Sequence, residues 1–401
     1  MRPFTSTISL DEALKRLHAA VRPMHRKERV RLADASGRVL AQEVASRVDV
    51  PPFARAAMDG YAVVAADTVT ASPTAPVRLR RLDRVYTGQM SQATVVPGTC
   101  TEIATGAPLP AGADAVVMVE ETTSDGDTVD VRSAVTPGQH IGRQGADIKT
   151  GDVVVGVGDV LTPSRLGAVA AVGRPDVTVF AKPRVAILST GNEVVDPGEP
   201  LPPGHIYDVN RFTLAAMVGL HGGIAEPHHA AQDTLEALGA ALDACADADL
   251  IVFSGGSSVG ERDLVSDLIA ARGTMIFHGI AVRPGKPTAF AAVGNALFLG
   301  MPGNPTSCLS NAYILLIPLL RAIARLPPHA PQVVRVPLGR RIVSAAGRHQ
   351  FYTVRLQDGT AHPAFKGSGD ITSLSQADGY IEIPASESEV QQGAVVAVTL
   401  F

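Results

Sequence analysis

The stretch ADADLIVFSGGSSVGERDLVSDL (Ala246 to Leu268) leaves few folds open. Its four apolar residues, Leu250 to Phe253, are short and β-branched enough for a buried parallel strand. The chain then breaks into Ser254-Gly255-Gly256-Ser257-Ser258-Val259-Gly260 and resumes as a helix. Glu261 and Asp263 fall in its first turn, and Leu264, Val265, Leu268 and Ile269 share one face. A glycine loop running from a strand into a helix N-terminus gathers backbone N–H groups and the positive end of the dipole at one point, which suits an anion. Asp263 at its edge repels a bare phosphate but can hold a metal that a phosphate shares. The loop has neither the lysine of a Walker A motif nor GxGxxG spacing, so a P-loop and a dinucleotide fold both fit badly. On this stretch alone a plain glycine-rich turn without a ligand remains open.

The rest of the chain repeats the pattern. RVAILST (Arg184 to Thr190) and ALFLG (Ala296 to Gly300) are strand-like and end in the polar loops STGNE and MPGNPTS. Helical segments separate them. Asp208 and Asn210 read as caps of a helix to Val218, Thr234 to Ala246 is helical, and Cys308 to Leu326 is a long helix. Alternating strands and helices from Arg184 to Leu326 imply a mostly parallel sheet in a three-layer α/β domain. Ligands bind such sheets beyond the strand carboxyl ends. If those ends adjoin, one cleft holds backbone donors, the cations Arg283 and Lys286 of the RPGKP loop, and the carboxylates Glu193, Asp208 and Asp263. That mixture suits a phosphate-bearing substrate with a divalent metal, or an oxyanion beside it.

Flanking segments have a different character. PPFARAAMDGYAV (Pro51 to Val63) ends in Asp59-Gly60, which as a dipeptide favours a hairpin turn. Phe53 and Met58, apolar among turn formers, suggest a loop packed for a purpose. Val77 to about Val135 has short β segments, including Thr105-Gly106-Ala107-Pro108 as a tight turn, and reads as an inserted β domain. Beyond Pro327, Pro328 and Pro331, residues Val333 to Phe401 are β-rich.

Composition narrows the function classes. At 401 residues two to four domains are expected. A net charge of −4 argues against a nucleic-acid or anionic-membrane binder. Pro318 and the short length of the Ala312 to Ile323 run make it a buried helix rather than a membrane span. Cys100, Cys245 and Cys308 are far apart, as in a reduced cytoplasmic protein without a zinc-knuckle site.

PPFARAAMDGYAV, ATGAPLPAGADAVV, STGNEV, SGGSSVGERD, RPGKPTAFA and MPGNPTSC, in this order, closely resemble the MoeA/gephyrin family. The resemblance covers nearly the whole chain. It implies a four-part subunit: a linking domain (5–50 and 138–178), an inserted β domain (51–137), the α/β molybdopterin-binding domain (179–327) and a C-terminal β-barrel-like domain (328–401). It also implies a cytoplasmic molybdopterin molybdotransferase that inserts molybdenum from molybdate into adenylylated molybdopterin and releases AMP. On the same basis it is a homodimer with a cleft shared between subunits, and its protein partners are the molybdopterin adenylyltransferase and acceptor molybdoenzymes. Asp59, Thr105, Glu193, Asp263 and Lys286 would be catalytic, with Mg2+ on Glu193 and Asp263. Asp208, Ser254, Gly255, Gly256, Ser257, Arg283, Pro302, Gly303, Asn304 and Pro305 would bind substrate. The chain departs from the family's pattern at Gly279 and Thr353, where basic residues are common, and at Gln232-Asp233, where an acidic pair is common. Those departures keep a second class open, a cofactor carrier or scaffold without catalysis. A third, adenylylation of molybdopterin, is disfavoured by the additional domains.

Overall fold

The computed structural model describes residues 7–229, 232, 234–255, 264–344 and 347–401. Gly256, Ser257 and Asp263, three of the expected site residues, lie outside them, as do Glu261 and Asp233. The chain divides into two compact units, one of Arg29–Ser36 with Leu40–Val179, the other of Met1–Glu28, Gly37–Val39 and Phe180–Phe401.

In the first unit a six-stranded sheet runs in the order Ala115–Met118, Gly60–Val63, Thr99–Ile103, Val77–Val85, Thr128–Val131, Thr122–Asp125. Alternate residues face one core of Tyr61, Val63, Leu79, Cys100, Val117, Val129 and Val131, the period-2 burial of a strand with one face inward. Asp59-Gly60 does not make the hairpin turn that the dipeptide favours. Gly60 opens an internal strand paired with both Ile103 and Met118, and a Cβ there would meet the Val117 carbonyl oxygen at 1.9 Å. Close backbone approach demands glycine at this position. Phe53 and Met58 are 38% and 44% exposed rather than packed within this unit. A second core, around Leu40, Val44, Leu161, Val169, Val177 and Val179, holds the helix Pro163–Ala171. Thr162 caps that helix by accepting from the Arg165 N–H, with Pro163 in its first turn.

The second unit is built on a six-stranded sheet ordered Ile224–Pro227, Arg184–Ser189, Leu250–Ser254, Ala296–Met301, Ala289–Val293, Gly273–His278. The first four strands are parallel, Ala289–Val293 runs against them, and Gly273–His278 is antiparallel to it in turn, so the sheet is mixed. Helices Leu235–Asp243 and Leu264–Arg272 bury Leu238, Leu242, Val265, Leu268 and Ile269 with Phe253 and Phe298. The helix Asn210–Leu220 packs on the Arg184–Ser189 strand and on the long helix. That long helix, Pro305–Ile323, is apolar and long enough to cross a membrane by composition, yet two thirds of its most apolar window is buried in the protein. It widens to a π-turn over Ala312–Leu316 just before Pro318, which has no N–H to give the ladder.

In the C-terminal region strands run Val282–Arg283, His349–Gln357, Gly379–Ile383, Val395–Leu400, Val333–Pro337, around a core of Leu338, Val354, Ile381, Ile383 and Val398. Thr360–Pro363 pairs with His349–Gln357, and a bridge from Ala361 to Leu338 brings it to the end of Val333–Pro337, so the sheet curls back on itself as a half-barrel. Its first strand is borrowed: Val282 and Arg283 of the basic loop pair with His349 and Gln350.

Candidate functional site

Parallel pairing in register brings three strand ends together. Ser189 stands beside Ser254 and Ser254 beside Met301, so the STGNE, SGG and MPGNPTS segments leave the sheet side by side. The strand order reverses at this place. From Arg184–Ser189 the chain goes first to the Ile224–Pro227 edge, then returns to Leu250–Ser254 on the other side. A switch in strand order splays the following loops apart and leaves a crevice. The crevice is a cavity of about 870 Å³, within the range of small-molecule sites.

Of the expected site residues, Glu193, Asp208, Ser254, Gly255, Arg283, Lys286, Pro302, Gly303, Asn304 and Pro305 all line it. Gly255 has φ +114°, and a Cβ there would lie 2.5 Å from the Thr190 carbonyl oxygen, so two loops meet where only glycine fits. The RPGKP loop is held from below by Asn311, which is fully buried. Its Nδ2 donates to the Gly285 carbonyl (3.1 Å) and to Thr288 Oγ1 (2.6 Å).

Asp208 is 4% exposed. Its Oδ1 accepts from the Arg211 N–H at 3.0 Å, which caps the helix as expected. Its Oδ2 lies 3.5 Å from Arg211 Nε, close enough for ion pairing but without a hydrogen bond. Arg211, itself buried, also pairs with Asp196. Burial pushes the Asp196 carboxyl upward, but hydrogen bonds from His229 and Arg211 outweigh it and hold the group below its ordinary value. Asn210 is not a cap. Its Nδ2 donates to Ser254 Oγ and to the Gly303 carbonyl, each at 2.7 Å, and so ties the three loops together.

Asp59 and Thr105 belong to the other unit, where they meet. Asp59 Oδ1 accepts from the Thr105 N–H at 2.6 Å and from its hydroxyl at 2.9 Å. Those bonds, the backbone one first, hold the Asp59 carboxyl below its usual range.

The cavity also contains residues outside the expected set. Arg348, Phe365, Lys366, Gly367 and Ser368 reach it from the C-terminal region, and Ser189, Thr190, Tyr207 and Asn210 from the α/β sheet. The Ser368 loop is fastened to the helix start: Asn304 Nδ2 donates to Ser368 Oγ (3.1 Å) and Thr306 Oγ1 to the Asp370 carbonyl (2.7 Å). The glycine-flanked Lys366-Gly367-Ser368 in AFKGSGD was the visible signal for this loop. Thr353, at which the chain departs from the family's pattern, is buried and does not line the cavity. The cations that the C-terminal region brings there are Arg348 and Lys366.

Thiolate chemistry is poorly served here. Burial pushes the Cys308 thiol up to about 12, so a thiolate nucleophile is suppressed at neutral pH. No three metal-ligating side chains cluster among the described residues. Magnesium keeps most of its waters and needs only one or two carboxylates when it shares phosphate oxygens with a substrate. Glu193, a cavity carboxylate beside the phosphate-suited loops, fits that shared arrangement rather than an all-protein cage.

The chain matches the MoeA N-terminal region (domain I and II) over residues 8–173, a probable molybdopterin binding domain over 186–322, and the MoeA C-terminal region (domain IV) over 335–401. It is 38% identical to a Mycobacterium tuberculosis protein named molybdopterin molybdenumtransferase 2, covering 92% of this chain and 94% of that one. With the Haemophilus influenzae molybdopterin molybdenumtransferase it shares 32% identity over 98% of both chains. The crystal structure of a molybdopterin biosynthesis MoeA protein from Pyrococcus horikoshii superimposes with a TM-score of 0.86 at 37% identity, covering 98% of this chain and 99% of that one. Strand ends, glycine loops and full-length likeness agree, and the chain belongs to the MoeA family.

Proposed function

We propose that this protein is a molybdopterin molybdenumtransferase, taking molybdate and adenylylated molybdopterin and releasing AMP in molybdenum cofactor biosynthesis. One observation carries the reading: four cations, Arg283, Lys286, Arg348 and Lys366, converge on a cavity whose floor is buried, polar and lined by glycine loops. Molybdate is a dianion and its co-substrate is already anionic, so their approach needs positive charge to offset repulsion. The basic loop is fixed between Asn311 and the C-terminal strand, so its charge is placed before substrate arrives. The dithiolene sulfurs belong to the substrate, so the inert Cys308 is no obstacle.

Magnesium on Glu193 and Asp263 would polarise the phosphoanhydride that is cleaved. Arg283 and Lys286 hold the anions, while Gly255 and the Pro302–Pro305 segment shape the floor. The four-part division at residues 50, 137, 178 and 327, cytoplasmic residence and a homodimer belong to the same reading. So does the expectation that Asp59 and Thr105 approach the cavity from a second copy. The Asp59–Thr105 pairing supports it, because it prepares an oriented carboxylate remote in sequence from the α/β loops.

The test is AMP release from adenylylated molybdopterin by purified protein, with and without molybdate and magnesium. Molybdate-dependent release with molybdenum in the product is expected, and Arg283→Met should raise the molybdate concentration needed. Tight substrate binding without AMP release would reject catalysis in favour of a carrier.

A further inference from the structure

Arg283 and Lys286 are carried by a loop that closes on itself. The Gly279 N–H donates to the Thr288 carbonyl at 2.8 Å, and the Ile280 N–H to the Lys286 carbonyl at 3.0 Å. Ile280, fully buried, also forms a parallel bridge with Ile8, 272 residues away at the start of the chain. The Ile8 N–H donates to the Gly279 carbonyl (3.2 Å), and the Ile8 carbonyl accepts from the Ala281 N–H (2.8 Å). A three-residue turn centred on Ala281, closed by the Val282 N–H on the Ile280 carbonyl (2.9 Å), then swings the backbone toward the C-terminal sheet. There the Ala281 carbonyl accepts from the His349 N–H (2.9 Å), and Val282 and Arg283 pair with His349 and Gln350. Ala281 is thus held by its N–H to the N-terminal segment and by its carbonyl to the C-terminal sheet.

We infer that Ile8 is a positioning residue of the anion site: its two backbone bonds fix Gly279–Ala281 and thereby set where Lys286 and Arg283 stand. The inference rests on the transferase reading above for the identity of the anion. Ile8 is itself well placed to impose a position. Ser9 follows it and caps the helix Leu10–Ala20 by accepting from the Glu12 N–H at 3.2 Å. That helix buries Leu10, Ala13 and Leu17, and Arg16 Nη1 donates to the Ile276 carbonyl (3.2 Å) on the strand that leads into the loop. Residues up to Glu28 accordingly fold with the α/β unit. Gly279 supports the same role. With φ +90° it takes a backbone conformation that favours glycine, and both its N–H and its carbonyl are bonded. Where relatives commonly carry a basic side chain, this chain carries a pairing site for Ile8. A preformed loop spares the entropy of ordering two long cationic side chains' backbone when the anion arrives.

The test is calorimetric titration of the full-length protein with molybdate in EDTA. Ile8→Val keeps both backbone groups and should bind as the wild type does. Ile8→Pro removes the donor to Gly279 and should weaken molybdate binding about fivefold, the scale of one backbone hydrogen bond. A chain begun at Ser9 loses donor and acceptor together and should bind more weakly still. Leu17→Ala separates positioning from general loosening. It opens a cavity under the same helix, so it should lower the urea unfolding midpoint more than Ile8→Pro does, yet leave molybdate affinity unchanged. Wild-type affinity in Ile8→Pro, an equal loss in Leu17→Ala, or no molybdate binding by the wild type would overturn the assignment. AMP release by the wild type separates the two readings. The expected order of affinities without turnover removes only the transferase, and turnover with wild-type affinity in Ile8→Pro removes only the positioning role.

Discussion

Replacing Gly285 by alanine tests how the basic loop is held. Gly285 has φ +109°, and a Cβ built there lies 2.3, 2.6 and 2.7 Å from Asn311 Oδ1, Nδ2 and Cγ. Asn311 has nowhere to go, being fully buried and bonded to the Gly285 carbonyl and Thr288 Oγ1. The backbone conformation alone costs an alanine about 1–3 kcal/mol. Displacing the carboxamide adds about 1–3 kcal/mol for buried groups left unpaired. The sum, about 2–6 kcal/mol, is a large part of a typical domain's 5–15 kcal/mol. Gly294 is the control: it has φ +56° with nothing within 4 Å, so Gly294→Ala should cost only the left-handed strain, about 1–2 kcal/mol. Urea unfolding of both variants gives the difference, and molybdate titration gives the consequence, with affinity falling for Gly285→Ala and not for Gly294→Ala. Equal destabilisation of the two, or unchanged molybdate affinity in Gly285→Ala, would refute the idea that Asn311 sets the loop.

Three further outcomes are expected. Phe298→Ala removes a fully buried ring that packs on Phe253 at 5.7 Å, and should cost about 3–5 kcal/mol by urea denaturation. Burial first, then His329 and Arg321, push His221 down to about 4 in the folded protein from an ordinary 6.5. The unfolded chain therefore binds the proton first as pH falls, and stability present above about 6.5 should be lost progressively toward 4. His221→Gln should flatten that part of a melting-temperature profile. If the cleft is shared between two copies, Asp59→Ala and Lys286→Ala proteins, each expected to be inactive alone, should recover about a quarter of wild-type AMP release after unfolding and refolding together, since half of random dimers would then carry one intact site. No recovery would place both residues in a single-subunit site.

The α/β sheet was legible because its strands are buried on both faces and so read as unbroken apolar runs ending in glycine loops. Two local signals misled. Asp59-Gly60 has turn chemistry, but the neighbouring Val117 carbonyl, 57 residues on in the chain, is what requires glycine at position 60. Asn210 has capping chemistry, yet Ser254 and Gly303 claim its amide. For the C-terminal region alternation marks the strands, while how far the sheet curls is decided by long-range contacts such as the bridge from Leu338 to Ala361.

By itself the sequence determined the class of fold and most of the loops that line the cavity, because strand hydrophobicity, glycine and helix starts are local properties of neighbouring residues. Tertiary structure alone decided that Arg348, Lys366 and Ser368 reach the same cavity as Arg283 and Lys286. It also decided that Ser189, Thr190, Asp208 and Asn210 are left there with polar atoms unmet. Whether a polar atom has a partner depends on which distant segments fold against it, and no window of sequence contains that information.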